Sequence, residues 1–123
     1  MESIRQKQVG ELIRRQFSTV LNTEGKYIYG YEPLVTITDV KMSPDLGLAK
    51  VYLSVFNQEN KQEIILLLED QVSKLRHALH SRISRQLRIM PDLRFYLDET
   101  LDEAYKLDQL FKKLHDEKQF GED

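Results

Sequence analysis

Basic side chains crowd into one stretch of this 123-residue chain, residues 71–94. The stretch holds six bases and a single acid, Asp92, which gives it a net charge of +5. Lysine and arginine neutralise the phosphates of nucleic acids, and this attraction supplies most of the affinity of such complexes. The pattern therefore favours a nucleic-acid surface, although runs of charge also occur on helix faces that meet only solvent. The six bases are Lys74, Arg76, Arg82, Arg85, Arg88 and Arg94.

Two histidines, His77 and His80, lie in the same stretch. Their spacing occurs in some metal-ligand pairs, but no third ligand is evident nearby and the surrounding cations repel a metal ion. We therefore predict no metal site. A neutral imidazole stacks on bases or bonds phosphate, and protonation adds a charge. We place His77 with the candidate RNA-binding residues for that reason.

A second group of cations lies near the N-terminus. Two acids, Glu2 and Glu11, lie among its members and weaken its attraction for phosphate. We therefore treat it as a second candidate RNA-binding surface, less favoured than the first. Its members are Arg5, Lys7, Arg14 and Arg15.

The charge of the chain changes sign near its C-terminal end. Residues 98–123 hold nine acids and four bases, a net charge of −5, whereas residues 1–97 hold eleven acids and fourteen bases, a net charge of +3. The total of −2 conceals this asymmetry, which is the better indicator of partners. We predict a domain over residues 1–98 and an acidic helix and tail over 99–123, part of the same domain or appended to it.

Composition disfavours several classes of protein. The chain has no cysteine, so disulfides, thiolate metal sites and cysteine nucleophiles are excluded. No paired carboxylates or nucleophile with a base are evident, so we predict that the protein is not an enzyme and has no cofactor. The N-terminus has no signal-peptide pattern, and the longest apolar run, residues 64–68, is too short for a membrane span. We expect a cytoplasmic monomer without a small-molecule substrate.

Hydrophobic periodicity predicts the elements that must position the cations. Spacings of three and four predict a helix over residues 4–21, which Gly10 weakens by about 1 kcal/mol relative to alanine. Residues 22–33 are interpreted as a loop, because glycines and a proline interrupt it. Its alternating tyrosines form either a short strand or an exposed aromatic surface, and a packed loop is favoured over base stacking. These are Tyr27, Tyr29 and Tyr31.

A β-hairpin is predicted next. β-branched residues predict a strand over 34–42 with a bulge near Asp39, and residues 43–47 form a turn served by Ser43 and Asp45. Strict alternation over 49–55 predicts the second strand. Lys50 and Tyr52 share its outward face, where cross-strand packing and cover by a helix are the favoured interpretation.

A second helical pattern runs from residue 64 to residue 87, after a cap at Asn60. It is too long for one straight helix in so small a domain, so we predict a kink or break near its middle. On such a helix Lys74, Arg85 and Arg88 project in related directions. Pro91 ends the helical pattern. Alternation over residues 93–97 then predicts a third strand. Apolar spacing over residues 101–114 predicts an amphipathic helix after it.

The predicted order is α-β-β-α-(kink)-α-β with an added C-terminal helix. Three strands backed by helices on one side define an α+β domain, and this order is that of the type II KH fold. KH modules usually clamp a nucleotide backbone with a Gly-x-x-Gly loop. No Gly-x-x-Gly occurs in this sequence, so the domain is KH-like in topology with a different grip.

The hairpin carries a recognisable pattern. Residues 40–54 read Val-Lys-Met-Ser-Pro-Asp-Leu-Gly-Leu-Ala-Lys-Val-Tyr-Leu-Ser, which resembles V-x-M-S-x-D-L-x-x-A-K-V-Y of the ribosome-binding factor A family. Residues 87–98 read Leu-Arg-Ile-Met-Pro-Asp-Leu-Arg-Phe-Tyr-Leu-Asp and resemble its L-R-I-V-P-E-L-x-F-x-x-D. Arg5-x-x-x-Val9 resembles the N-terminal motif of the family. The resemblance is collinear from about residue 5 to residue 98.

This resemblance implies work in ribosome assembly. The family binds the immature small (30S) ribosomal subunit, contacts 16S rRNA, and assists rRNA processing and subunit maturation, without catalytic residues or a cofactor.

The sequence departs from the family pattern at two places. Ser73 stands where the family's Ala-x-Gly kink has glycine, so either the kink survives with serine or the helix is straighter. The family's Asp-Pro-Arg stretch before the first strand is absent.

A different interpretation makes the chain a protein-interaction module that docks through its C-terminal amphipathic helix. Salt separates the two possibilities. An RNA binder loses affinity steeply as salt rises, whereas an apolar docking module does not.

Overall fold

The computed structural model describes residues 2–99 and Lys112. Within them the order of elements confirms the predicted α+β class, with one short helix added after the first. The helix expected over residues 101–114 lies outside the described residues, apart from Lys112. The elements are α1 (Ile4–Glu24), α2 (Lys26–Tyr29), β1 (Leu34–Met42), β2 (Leu48–Phe56), α3 (Lys61–Asp70), α4 (Val72–Ile83) and β3 (Asp92–Leu97).

The strands of this part of the chain form one mixed sheet in the order β1-β2-β3. β1 and β2 are antiparallel, and their register shifts between Ile37 and Asp39, where the bulge was expected. β3 pairs parallel with β2. A parallel neighbour needs a crossover connection, and α3 and α4 supply it. The crossover brings α4 back beside α1.

α1 lies close against β1 at Gly10. A Cβ atom at this position would lie 2.7 Å from the carbonyl oxygen of Val40, so glycine is what lets the helix lie so near the strand. One turn earlier, Gln6 Nε2 donates a hydrogen bond of 2.9 Å to the carbonyl oxygen of Met42. Gly10, a weak point of the helix taken alone, is thus where the helix meets the sheet.

The core lies between these helices and one face of the sheet. Phe17 of α1 is fully buried and stacks on Phe95 of β3, with ring centroids 5.9 Å apart. Leu75 and Leu79 of α4 are also fully buried. Each such side chain contributes roughly 1.5–3 kcal/mol relative to full exposure, so α1, α4 and the sheet hold one another in place.

The loop predicted over residues 22–33 is partly wrong. α1 continues to Glu24, and α2 includes Tyr27 and Tyr29, so these tyrosines do not form a strand. Gly25 adopts ordinary helical angles, with φ −59° and ψ −40°, and its N–H donates to the carbonyl oxygen of Leu21 at 2.8 Å. Gly25 ends α1, but because it keeps helical angles the chain enters α2 at the next residue instead of leaving as a loop.

The predicted break in the second helical pattern is confirmed, at Gln71. This residue has φ −105° and ψ 16° and separates α3 from α4. Ser73, the position that the resemblance assigns to the kink, is the second residue of α4 and lies after the break. The interhelical break therefore persists in a chain with serine at that position.

The predicted C-terminal end of this pattern is wrong. α4 ends at Ile83, and residues 84–86 form one further turn, in which the N–H groups of Gln86 and Leu87 both donate to the carbonyl oxygen of Ile83. The chain has to turn here because β3 starts beside the hairpin turn, where Asp92 N–H donates to the carbonyl oxygen of Gly47 at 2.9 Å. Arg85 and Arg88 are therefore not on a common helix with Lys74.

Candidate nucleic-acid interface

α1 and α4 pack side by side and run antiparallel. Arg82 Nε donates a hydrogen bond of 3.0 Å to Gln16 Oε1. Farther along, Val9 of α1 and Leu87 line one groove together. Because α1 lies beside α4 and the segment that follows it, cations far apart in the sequence come to lie on one side of the molecule.

The outward face of α4 carries Lys74 and His77. Leu75 and Leu79 are buried beneath them, and at 100° per residue Lys74 and His77 point away from that buried stripe. Both side chains are exposed. They are available to a partner in solution, as the sequence predicted for this face.

A groove of about 210 Å³ joins the N-terminal turns of α1 to the segment after α4. Arg5 and Arg88 both line it, so members of the two candidate groups meet here. Its floor is apolar, and Ile89 on its rim is 79% exposed. Ile89 is not among the residues predicted from the sequence, although its place between Arg88 and the strand, off any buried stripe, is a usable signal.

We call the cations on this side of the molecule, together with His77, the α1–α4 surface. Each of its members is exposed, which lets the polar end of the side chain reach a phosphate. Its members are Arg5, Lys74, His77, Arg82, Arg85 and Arg88.

Arg76 has a different environment from its neighbours on α4. Its guanidinium donates to the carbonyl oxygen of Pro91 at 3.0 Å and to that of Met90 at 2.6 Å. Asp92 Oδ1 lies 3.9 Å from its Nε. Arg76 thus fastens α4 to the start of β3, and an RNA contact by Arg76 stays a prediction.

Replacing Arg76 with alanine is expected to lower the free energy of unfolding by about 1–2 kcal/mol, because two bonds from a charged donor are lost. Lys74→Ala is the matched control and is expected to change it by less than about 0.5 kcal/mol, since Lys74 is exposed on the same helix. Urea unfolding measures both. Equal effects of the two substitutions would contradict the anchoring role of Arg76.

The remaining first-helix cations lie on another flank of α1. Arg14 pairs with Glu11, with Nη2 and Oε1 2.5 Å apart, and Arg15 Nε lies 3.9 Å from the same oxygen. The hydrogen bond from Arg14 lowers the pKa of Glu11. Lys7 is exposed and, by helical geometry, lies on the Arg14 flank. The structure therefore joins Arg5 to the α1–α4 surface and separates Lys7, Arg14 and Arg15 from it.

The hairpin turn beside the groove is held by two side chains, as predicted. Ser43 Oγ donates to Asp45 Oδ1 at 2.6 Å, and Gly47 N–H donates to the same oxygen at 3.0 Å. Leu48 N–H donates to Ser43 Oγ at 3.0 Å, and Leu46 takes a positive φ of 61°. The Ser43 hydroxyl, followed by the Gly47 N–H, lowers the pKa of Asp45.

Asp45→Ala is expected to destabilise the protein at neutral pH, with an effect that fades in acid. A carboxyl whose pKa is lowered by folding stabilises the folded state above its ordinary pKa of about 3.9 and loses that contribution as pH falls through the folded value. Urea unfolding of wild type and variant from pH 7 down to pH 3 measures the difference. A difference that stays constant over this range would contradict a role for the carboxylate charge.

The tyrosines and histidines complete the candidate residues. Tyr27 and Tyr31 are 71% and 81% exposed, whereas Tyr29 is half-buried and burial raises the pKa of its phenol. His80 is exposed on α4. The part of the chain that the structure describes contains no cluster of three or more potential metal ligands among its His, Asp and Glu side chains, and none of its helices is long and apolar enough to cross a membrane.

The family model of ribosome-binding factor A matches residues 5–111 of the chain. The chain belongs to the ribosome-binding factor A family. A ribosome-binding factor A from Cytophaga hutchinsonii is 39% identical over 114 residues, which cover 93% of this chain and 85% of that relative. The resemblance carried by the hairpin and by residues 87–98 is confirmed.

Solved structures of ribosome-binding factor A share the fold. The crystal structure from Thermus thermophilus matches 75% of this chain and 94% of its own, with a TM-score of 0.63 at 21% identity. A homology model of the Thermus thermophilus factor, fitted into the cryo-EM map of a 30S complex of that factor, matches with a TM-score of 0.60 at 21% identity. At these identities the likeness establishes the fold of the present chain.

Proposed function

We propose that this protein is an assembly factor that binds the immature small ribosomal subunit and contacts 16S rRNA through the α1–α4 surface. The observation that carries the proposal is the packing of α1 beside α4, which brings Arg5 of the first helix to the same side as the exposed cations of residues 74–88. The Thermus thermophilus factor fitted into a 30S complex supports the choice of partner.

The proposed contact with the RNA backbone differs from that made by a Gly-x-x-Gly loop. Gln71 occupies the break between α3 and α4, and its side chain would crowd a backbone held as closely as glycine permits. Cations along α4 and in the segment after it meet the phosphates instead. Such contacts position the RNA without reading its sequence, so specificity has to come from the shape of the folded rRNA.

Assistance of rRNA processing and subunit maturation follows from binding alone. A protein that binds one conformation of an RNA more tightly than the others raises the population of that conformation. Nothing in this step requires a catalytic group or a cofactor. We propose on this basis that the protein acts in the cytoplasm as a monomeric binding factor and not as an enzyme.

Co-sedimentation with purified small subunits, large subunits and whole ribosomes at two salt concentrations tests the proposal. We expect association with free small subunits that weakens as salt rises, because phosphate contacts release counterions. Association that does not respond to salt would favour the protein-interaction module. No association of folded protein with small subunits at low salt would overturn the proposal.

A further inference from the structure

The sheet has a second exposed cationic row, on the face away from α1 and α4. Lys41 of β1 pairs with Lys50 of β2, and Lys50 pairs with Arg94 of β3. All three side chains are exposed. Because neighbouring strands lie about 4.8 Å apart, the backbone positions of these three residues fall within about 10 Å. Of these residues, only Arg94 lies in the basic stretch singled out from the sequence.

This row is unfavourable for the isolated fold. Like charges directly opposite each other on neighbouring strands destabilise a sheet, and no acidic side chain of the described residues forms a salt bridge with any of the three. Lysine on an edge strand can prevent sheets from joining, which accounts for Lys41. It does not account for Lys50, because β2 is the central strand.

Two tyrosines form the next row on the same face. Tyr52 pairs with Tyr96 across β2 and β3, and their rings stack with centroids 5.5 Å apart and planes at 27°. Lys41 Nζ lies 5.7 Å from the centroid of the Tyr52 ring. Tyr96 remains 37% exposed. Farther along β2, Ser54 is buried at 1%, so the exposed part of the face is this cationic and aromatic end.

We propose that Lys41, Lys50, Tyr52, Arg94 and Tyr96, called here the sheet patch, bind single-stranded RNA. The three cations complement the charge of a phosphate backbone, and the tyrosine pair offers a surface on which an unpaired base stacks. Positive charge beside aromatic rings is the combination by which proteins hold single strands without reading sequence. The sheet patch lies on the opposite side of the sheet from the α1–α4 surface, so it is a second RNA site.

The two sites have different tasks in this arrangement. The α1–α4 surface offers mainly charge, with the His77 imidazole as its one ring, and suits folded RNA. The sheet patch adds stacking and suits an unpaired segment. A protein with both would hold a folded region of rRNA with one side and a single strand with the other.

Fluorescence anisotropy of the full-length protein with a fluorescein-labelled octauridylate tests the sheet patch. Tyr96→Leu keeps apolar bulk but removes the aromatic face, and we expect it to weaken binding about tenfold. Lys50→Gln with Arg94→Gln is expected to weaken binding about tenfold at low salt and to reduce the slope of log affinity against log salt by about 1.4. The matched control, Lys7→Gln with Arg14→Gln, removes the same charge from the flank of α1 that lies outside both surfaces, and is expected to stay within about twofold.

Two further measurements test whether the sheet variants remain folded and whether the sheet patch prefers RNA to an acidic peptide. Thermal unfolding of Lys50→Gln with Arg94→Gln is expected at the same or a higher temperature than wild type, because repulsion is relieved. Competition by a poly-glutamate peptide is expected to be much weaker than by unlabelled octauridylate. Equal competition, together with no effect of Tyr96→Leu, would overturn the RNA assignment in favour of an acidic protein partner.

The octauridylate and co-sedimentation experiments distinguish a failure of the sheet-patch proposal from a failure of the small-subunit proposal. Wild-type affinity for octauridylate in both sheet variants, or an equal loss in the control, would overturn the sheet patch while leaving the co-sedimentation result untouched. Conversely, loss of octauridylate binding in the sheet variants without any association with small subunits would support the sheet patch and overturn the proposed function.

Discussion

Neutralising three cations of the α1–α4 surface is expected to reduce affinity for the small subunit by about a hundredfold, close to 3 kcal/mol. The triple variant carries Lys74→Gln, Arg85→Gln and Arg88→Gln. These side chains are exposed and form no salt bridge or side-chain hydrogen bond within the described residues, so the fold should survive. Arg76 and Arg82 are left in place because both bond to other parts of the protein.

The size of this effect follows from counterion release. Each phosphate contact contributes about 0.7–0.9 to the slope of log affinity against log salt. Loss of three contacts should therefore flatten the salt dependence by about 2–3 in that slope. Binding of the wild type and the triple variant to small subunits over a series of salt concentrations measures both quantities.

The matched control removes the same charge from the other flank of α1, through Lys7→Gln, Arg14→Gln and Arg15→Gln. Arg14 and Arg15 are already opposed by Glu11, so we expect a loss of less than about fivefold, of the order of a small electrostatic change. Equal losses in the two triple variants would mean that net charge alone attracts the protein to RNA. The α1–α4 surface would then not be the interface.

Gly10→Ala is expected to destabilise the protein by about 2 kcal/mol, although the same change stabilises an isolated helix by about 1 kcal/mol. The new Cβ would lie 2.7 Å from the carbonyl oxygen of Val40, and this oxygen belongs to a strand held by its hydrogen bonds. α1 must therefore move away from β1, which loosens the packing of Ile13 and Phe17. Overpacking of this kind costs about 1–3 kcal/mol, or more when a backbone atom is the obstacle.

Equilibrium unfolding in urea measures the effect of Gly10→Ala, with Gln8→Ala as the control. Gln8 is exposed on the same helix, so alanine there should change the free energy of unfolding by less than about 0.5 kcal/mol. A gain in stability from Gly10→Ala would show that α1 does not lie as close to β1 as described. Since Arg5 is carried by the same helix, a moved α1 should also weaken small-subunit binding by a few fold.

Much of the fold was predictable because its signals lie within short segments of the sequence. Strict alternation along β2 and the turn at Ser43 and Asp45 predicted the hairpin, and the slip near Asp39 predicted the bulge. The length of the second helical pattern predicted a break. The residues around Gly25 were misread because glycine there takes an ordinary helical conformation, which only packing against neighbouring helices determines.

The candidate site was predictable in composition and not in arrangement. Sequence placed Lys74, Arg76 and Arg82 on one helix, but it did not distinguish the solvent-facing Lys74 from Arg76, which is bonded to the start of β3. That distinction depends on where the chain goes after α4. Sequence likewise did not predict that Arg5 and Arg88 share a groove, since their proximity depends on antiparallel packing of two helices.

By itself, then, the sequence determined the α+β class, the family and the presence of a basic stretch, because periodicity, turn chemistry and charge are local properties of the chain. Tertiary structure decided which cations are available, since hydrogen bonds between distant residues hold Arg76 at the start of β3. It also decided the row of Lys41, Lys50 and Arg94, because strand register is a relation between segments. The sheet patch could be found only once three strands were placed side by side.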